Sequence, residues 1–149
     1  MIYMEESFDL FLIDTNILVY AYDLKAPHNK RKIAMELIQN SWKENKVYCI
    51  SVQNLAEFMF VLISKVKDLQ TIKQGELIIT DIVNSNNWEK ISYTETTMLK
   101  AIPLFNETKS HFWDALIVAT MLEHGIHHIY TENISDFSHF PIKAVNPFE

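Results

Sequence analysis

The sequence predicts an α/β fold in which a parallel central sheet of four to five strands is flanked by helices. Two observations lead there. Extended apolar runs and amphipathic helical stretches alternate along the chain, the order found where helices cross between parallel strands. Gly75 and Gly125 are the only glycines among 149 residues, so the turns must be helix caps and Asn, Ser or Pro loops.

The elements follow in order. Phe8–Ile13 reads as a buried strand that stops at Asp14-Thr15-Asn16. Asp14 or Thr15 can cap a short helix over Ile17–Tyr22. Pro27–Asn45 fits an amphipathic helix, with Ile33, Leu37, Ile38 and Trp42 at helical spacing. Val47–Ile50 is a second strand, and Ser51 can cap a helix running from Val52 to about Val66. Lys73–Asn84 is helical, with Ile78, Ile79, Ile82 and Val83 as its apolar face. Trp88–Ile91 is a third strand. Thr94 to about Phe105 is a helix whose end Pro103 should weaken. Phe112–Glu123 is an apolar helix stopped by His124-Gly125. His128–Thr131 is a fourth strand, and Lys143–Val145 a fifth at the edge.

Composition narrows the class. A hydrophobic share of 48% and a charged share of 21% describe a globular chain, expected to form one domain over residues 1–149 with a core that needs no staples. A lone cysteine, Cys49, excludes an internal disulfide and a cysteine zinc cluster; it reads as a small buried side chain. Met1–Asp9 carries Glu5, Glu6 and Asp9 and has no basic leader, and no apolar run approaches a membrane span. A cytoplasmic location and no membrane partner are therefore expected. The net charge is −6, and Arg31 is the sole arginine. That balance argues against a broad basic surface for nucleic acid. If the substrate is a polyanion, bound divalent metal is a means to offset repulsion near the chemistry.

Three carboxylates sit in apolar company. Asp14 lies where the first strand ends, the position at which ligand sites collect in open α/β sheets; a plain helix cap would also explain it. Glu57 is set in Leu55-Ala56-Glu57-Phe58-Met59-Phe60-Val61, a helix apolar nearly all round and so expected to be buried. Buried, Glu57 needs a partner or a changed protonation state, which a salt bridge or cap would supply. Asp114 falls in the first turn of its helix, where the helix dipole alone favours a carboxylate. Gathered together the three would repel, unless a cation sat between them, and Mg²⁺ or Mn²⁺ prefers hard oxygen ligands. A further acidic pair, Glu132 and Asp136, follows the fourth strand and is spaced to share one face of a helical turn.

At these residues the chain resembles the PIN-domain family, especially its VapC-like toxins. The matching pieces are Asp14-Thr15-Asn16-Ile17-Leu18-Val19-Tyr20, Glu57-Phe58 after Ser51-Val52, Trp113-Asp114-Ala115-Leu116-Ile117-Val118-Ala119, and Thr131-Glu132-Asn133-Ile134-Ser135-Asp136-Phe137. The resemblance implies a three-layer sandwich and a magnesium- or manganese-dependent endoribonuclease. It implies Asp14 and Asp114 as direct metal ligands, and Glu57 as a ligand or as the group that orients metal-bound water. Thr15 or Asn16 would hold them in place from just beside the site. The family usually has an aspartate two residues beyond the threonine that ends the fourth strand. Here that position is Asn133, and Glu132 or Asp136 would substitute, which leaves the number of metals open. The resemblance also implies a small antitoxin partner, with an Arg or Lys inserted into the acidic site, and a homodimer.

The RNA could approach along Lys25, His28, Lys30, Arg31 and Lys32, a run that equally suits a solvated helix face. His111, His124, His127 and His128 cluster in sequence near the third motif, and ordinary helix-end or loop positions explain them as well as metal ligation does. Three other functions compete. A dehalogenase-like phosphatase would want an aspartate where Asn16 stands. A structure-specific DNA nuclease would use the same carboxylates. A degenerate domain that only binds RNA or protein fits Asn133 and the low basic content.

Overall fold

The computed structural model describes residues 10–43 and 47–149. Its five strands are β1 (Phe11–Ile13), β2 (Tyr48–Ser51), β3 (Trp88–Ile91), β4 (His128–Tyr130) and β5 (Lys143–Val145). All neighbouring pairs are parallel, in the order β3-β2-β1-β4-β5. The chain therefore builds outward from β1 to β3 and then returns to the other side of β1. That reversal opens a crevice at the carboxyl ends of β1 and β4, where open α/β sheets bind ligands.

The helices are α1 (Thr15–Tyr22), α2 (His28–Lys43), α3 (Val52–Val61), α4 (Leu69–Asn84), α5 (Glu95–Thr108), α6 (Phe112–Glu123) and a single turn α7 (Ile134–Phe137). A π-helical turn over Leu62–Val66 continues α3. The pleat sends alternate strand residues to opposite faces. Ile13, Ile50 and Trp88 pack with Leu18, Ile38, Phe58 and Ile82 of α1 to α4. Leu12, Cys49 and Ile129, level with one another across the sheet, pack with Ala115, Val118 and Met121 of α6 and with Phe137. α5 lies outside α6 through Ala101, Leu116 and Ala119. The result is a three-layer sandwich. Each fully buried Leu or Ile contributes roughly 1.5–3 kcal/mol to holding the layers together.

Most expected elements are present, and the differences have local causes. Phe8 and Asp9, and Asn45 at the end of the second predicted helix, lie outside the described residues. α4 begins four residues before Lys73, because Asp68 caps it by accepting from the Thr71 amide and hydroxyl. α5 runs past Pro103 to Thr108. The carbonyl that Pro103 leaves without its helical partner belongs to Leu99, which is exposed to water, while Ala101 and Leu104 anchor the helix on α6. Ile38 is buried as expected, but Trp42, expected on the same face of α2, is exposed, and Ala34 and Ser41 are buried beside Ile38. The predicted stop of α6 holds: Gly125 adopts φ 68°, and the Ile126 amide reaches back to the Met121 carbonyl at 2.9 Å.

α3 corrects a larger expectation. It was expected to be buried all round, yet Val52, Phe60 and Ile63 are exposed and Glu57 is half-buried. The helix packs only on the side of Leu55, Phe58 and Leu62, against α1 and α4. Val52, Ala56, Phe60 and Ile63 recur along the opposite side.

Candidate functional site

Asp14 stands at the end of β1 and caps α1, its side chain accepting from the Thr15 amide. Its backbone amide donates to the Tyr130 carbonyl at 3.0 Å, which ties it to β4. The side chain is 8% exposed and accepts four hydrogen bonds. Oδ1 receives the Thr15 amide at 2.8 Å and the Asn54 amide nitrogen at 3.4 Å. Oδ2 receives the Thr131 hydroxyl at 2.7 Å and the Asn16 amide nitrogen at 3.2 Å. Burial pushes the Asp14 carboxyl above its ordinary value. The bonds from Thr131 and Thr15 pull it down, and the charges of Glu57 and Asp136 push it up again.

The polar groups around Asp14 form one network. Asn16 donates also to the Thr131 hydroxyl and accepts from the Glu132 amide. Thr131, fully buried, accepts from the Asn133 amide. On the α3 side the Asn54 amide nitrogen donates to the Thr15 hydroxyl at 3.1 Å, and that hydroxyl donates to Glu57 Oε2 at 3.0 Å. Glu57 Oε1 accepts from Gln53 at 3.2 Å. Thr15 thus holds Asp14 through its amide and Glu57 through its hydroxyl.

Asp114 approaches from the first turn of α6. Its carboxyl is pushed up to about 6, first by burial, then by the charges of Asp136 and Asp14, with a smaller push from Glu57 and an opposing pull from His111. Asp114 and Asp136 share a polar pocket of about 200 Å³ with Lys109, Ser110, His111 and Ser135. The charges of Glu57 and Asp136 therefore act on both Asp14 and Asp114. Among the described residues, no three Asp, Glu, His or Cys side chains form a group able to hold a metal ion. The donor set is nonetheless of the hard-oxygen kind, and Mg²⁺ is usually held by one or two carboxylates with water completing its shell.

The fold separates the two residues that could replace the missing aspartate at Asn133. Asp136 lines the same pocket as Asp114, and its charge raises the carboxyls of both Asp14 and Asp114. Glu132 is drawn away by an ion pair with Lys30 and a hydrogen bond from the Tyr20 hydroxyl. Burial works against the charged Glu132, but those two partners hold its carboxyl below the ordinary value. The two acids also do not share a helical face, because α7 begins only at Ile134. Asn133 caps that turn and is exposed.

Of the basic run, Lys30 is committed to Glu132, Arg31 is half-buried, and Lys25 and Lys32 are exposed. His28, like them, lies at the start of α2 or just before it. The four histidines do not gather. His111 caps α6 beside Asp114, the His124 ring meets the Thr120 carbonyl at 2.8 Å, and His128 lies against Phe11. The His127 carbonyl accepts the amide of β5 residue Lys143. Burial pushes the Cys49 thiol up to about 12, which makes it a core residue and not a nucleophile.

Sequence reasoning missed Asn54, Gln53 and Lys109. Asn54 is fully buried and completes a capping box with Ser51, whose hydroxyl accepts from the Asn54 amide at 2.9 Å. The signal was available in Ser51-Val52-Gln53-Asn54, a polar residue three places beyond a cap.

A parallel α/β sandwich with carboxylates crowded at its strand-order reversal defines the class. Within it, a family model described as the PIN domain matches residues 11–143, and the chain belongs to that family. No curated protein sequence matches significantly. Solved structures agree in fold. A toxin–antitoxin complex from Klebsiella pneumoniae matches at TM-score 0.67 and 23% identity over 93% of this chain and 98% of that one. VapC20 of Mycobacterium tuberculosis, described as a sarcin–ricin loop cleaving toxin, matches at TM-score 0.67 and 16% identity over 87% and 95%. VapBC2 from Rickettsia felis, bound to a DNA fragment from its promoter, matches at TM-score 0.63 and 21% identity over 92% and 98%.

Proposed function

We propose that this chain is a divalent-metal-dependent endoribonuclease and the toxin of a toxin–antitoxin pair. The observation that carries the reading is the carboxylate of Asp14, buried and facing the charges of Glu57 and Asp136, with Asp114 raised by the same group. The capping role of Asp14 and the first-turn position of Asp114 account for each acid singly, but not for their mutual nearness, whose repulsion a bound cation would relieve.

Bound Mg²⁺ or Mn²⁺ supplies water of lowered pKa and offsets charge on the leaving oxygen of a phosphodiester. Asp14 and Asp114 are its proposed oxygen ligands, with water completing the shell and Asp136 acting on it through that water. Glu57, half open to solvent and steadied by Thr15 and Gln53, would orient the attacking water. Thr15, Asn16, Asn54 and Thr131 keep the Asp14 carboxylate turned to the crevice, and such positioning commonly affects metal affinity 10–100-fold, as an order of magnitude. The solved relatives named above include toxin–antitoxin complexes, which supports a small antitoxin whose Arg or Lys would neutralise the acidic pocket. The apolar side chains that α5 leaves exposed, Met98, Leu99 and Ile102, offer a surface to a second copy. Among the described residues no helix is long and apolar enough to cross a membrane, and a cytoplasmic site of action is part of the proposal.

The test is cleavage of single-stranded RNA in Mg²⁺ by the wild type and by Asp14→Asn. The wild type should cut and the variant should not, while both give the same circular dichroism spectrum. Equal cleavage by the two removes Asp14 from the mechanism.

A further inference from the structure

We propose that the groove beside Glu57 is a subsite for one unstacked nucleobase of a single-stranded RNA; this rests on the nuclease reading of the neighbouring acidic site. The groove encloses about 610 Å³, within the range of small-ligand pockets, and Glu57 forms part of both groove and acidic site. Three aromatic side chains line it: Phe60 on α3, Tyr93 after β3 and Trp113 on α6. All three are exposed, Phe60 by 67% and Trp113 by 59%. Flat exposed rings at the edge of a phosphodiester site are what splayed bases stack on.

The second observation is Gln53, which lines the same groove and is 8% exposed. Its amide nitrogen donates to Glu57 Oε1 and to the Trp113 carbonyl, both at 3.2 Å. Both partners can only accept, so the orientation of the amide is fixed by chemistry. Its oxygen is then left with no hydrogen-bond partner. A buried acceptor without a donor is uncommon and invites one. A nucleobase brings a π face for the rings and N–H donors on its edge for this oxygen. A second copy of the chain would cover the rings too, but it gives no account of the unpaired amide oxygen.

Charge points the same way. No Lys or Arg lines the groove among the described residues, and the chain carries a net charge of −6. Affinity for an RNA segment at this edge has to come from stacking more than from phosphate contacts.

The experiment uses short single-stranded RNA made cleavage-resistant by 2′-O-methylation, with binding read by fluorescence anisotropy in Mg²⁺. An abasic position is walked along the strand. One position should weaken binding to the wild type by about 5- to 150-fold, the factor carried by one stacked base. Trp113→Ala and Tyr93→Ala should weaken the intact strand by a similar factor and become insensitive to the abasic position. Both residues are exposed, so the variants fold. Wild type that cuts unmodified RNA yet binds without regard to any abasic position overturns the subsite and leaves the nuclease standing. Base-sensitive binding without cleavage supports the subsite and overturns the nuclease reading alone. No measurable binding overturns the subsite. So does sedimentation in which Phe60→Ala and Trp113→Ala split a dimer while base removal has no effect, which would assign the groove to a second copy.

Discussion

Replacing Asp114 by Asn should stabilise the metal-free protein while abolishing its activity. The Asp114 carboxyl is raised from its ordinary 3.8 to about 6 by burial and by Asp136 and Asp14. Between those two values the folded chain holds a proton that the unfolded chain has released. Stability is therefore highest below about pH 4 and is lost as pH rises through about 6. A displacement of about two pH units corresponds to about 3 kcal/mol, and partial exposure to water reduces this to roughly 1–2 kcal/mol. The first-turn position of Asp114 returns only ~0.3–1 kcal/mol through the helix dipole, so burial and repulsion together outweigh it. Asparagine keeps the shape and discards the charge. In thermal melts with EDTA at pH 8, Asp114→Asn should unfold about 3–8 °C above the wild type, and the gap should close towards pH 4. Added Mg²⁺ should raise the wild type more than the variant. A variant that melts lower at pH 8, or a gap of equal size at both pH values, refutes the reasoning.

Two further outcomes follow. Asp136→Ala should cost about 10- to 100-fold in cleavage, whereas Glu132→Ala breaks a part-exposed ion pair with Lys30 and a hydrogen bond from Tyr20 and leaves cleavage within the same order of magnitude; RNA cleavage assays that show the reverse would return the fourth acidic position to Glu132. In Gly75→Ala the new Cβ would lie 2.3 Å from Leu62 Cδ1, in a side chain with no exposure; overpacking of ~1–3 kcal/mol should outweigh the ~1 kcal/mol gained in helix propensity, so the urea midpoint should fall, and a rise would show that the α3–α4 contact yields.

Features written in neighbouring residues were legible in the sequence. Asp14 announces itself because an apolar strand ends on it and a helix begins there. Asp114 and the stop at Gly125 are equally local. The face of α3 was not legible, because seven apolar residues among the ten of Val52–Val61 look the same whether one side or every side is covered. Only the packing of α1 and α4 decides that Glu57 is half open and that Phe60 is exposed. The choice between Glu132 and Asp136 depends on Lys30 and Tyr20, each more than a hundred positions away. Pro103 misled because a missing amide donor is costly inside a buried helix and cheap where the orphaned carbonyl meets water. Asn54 was hidden by a different cause: its capping role is local, but its bonds to Asp14 and Thr15 arise from the meeting of two elements.

Calorimetric titration with Mn²⁺ bears most directly on the acidic pocket. The wild type should give saturable binding, and Asp14→Asn and Asp114→Ala should each lose it while remaining folded. Wild type that takes up no ion, or variants that bind as well as it does, would contradict the account.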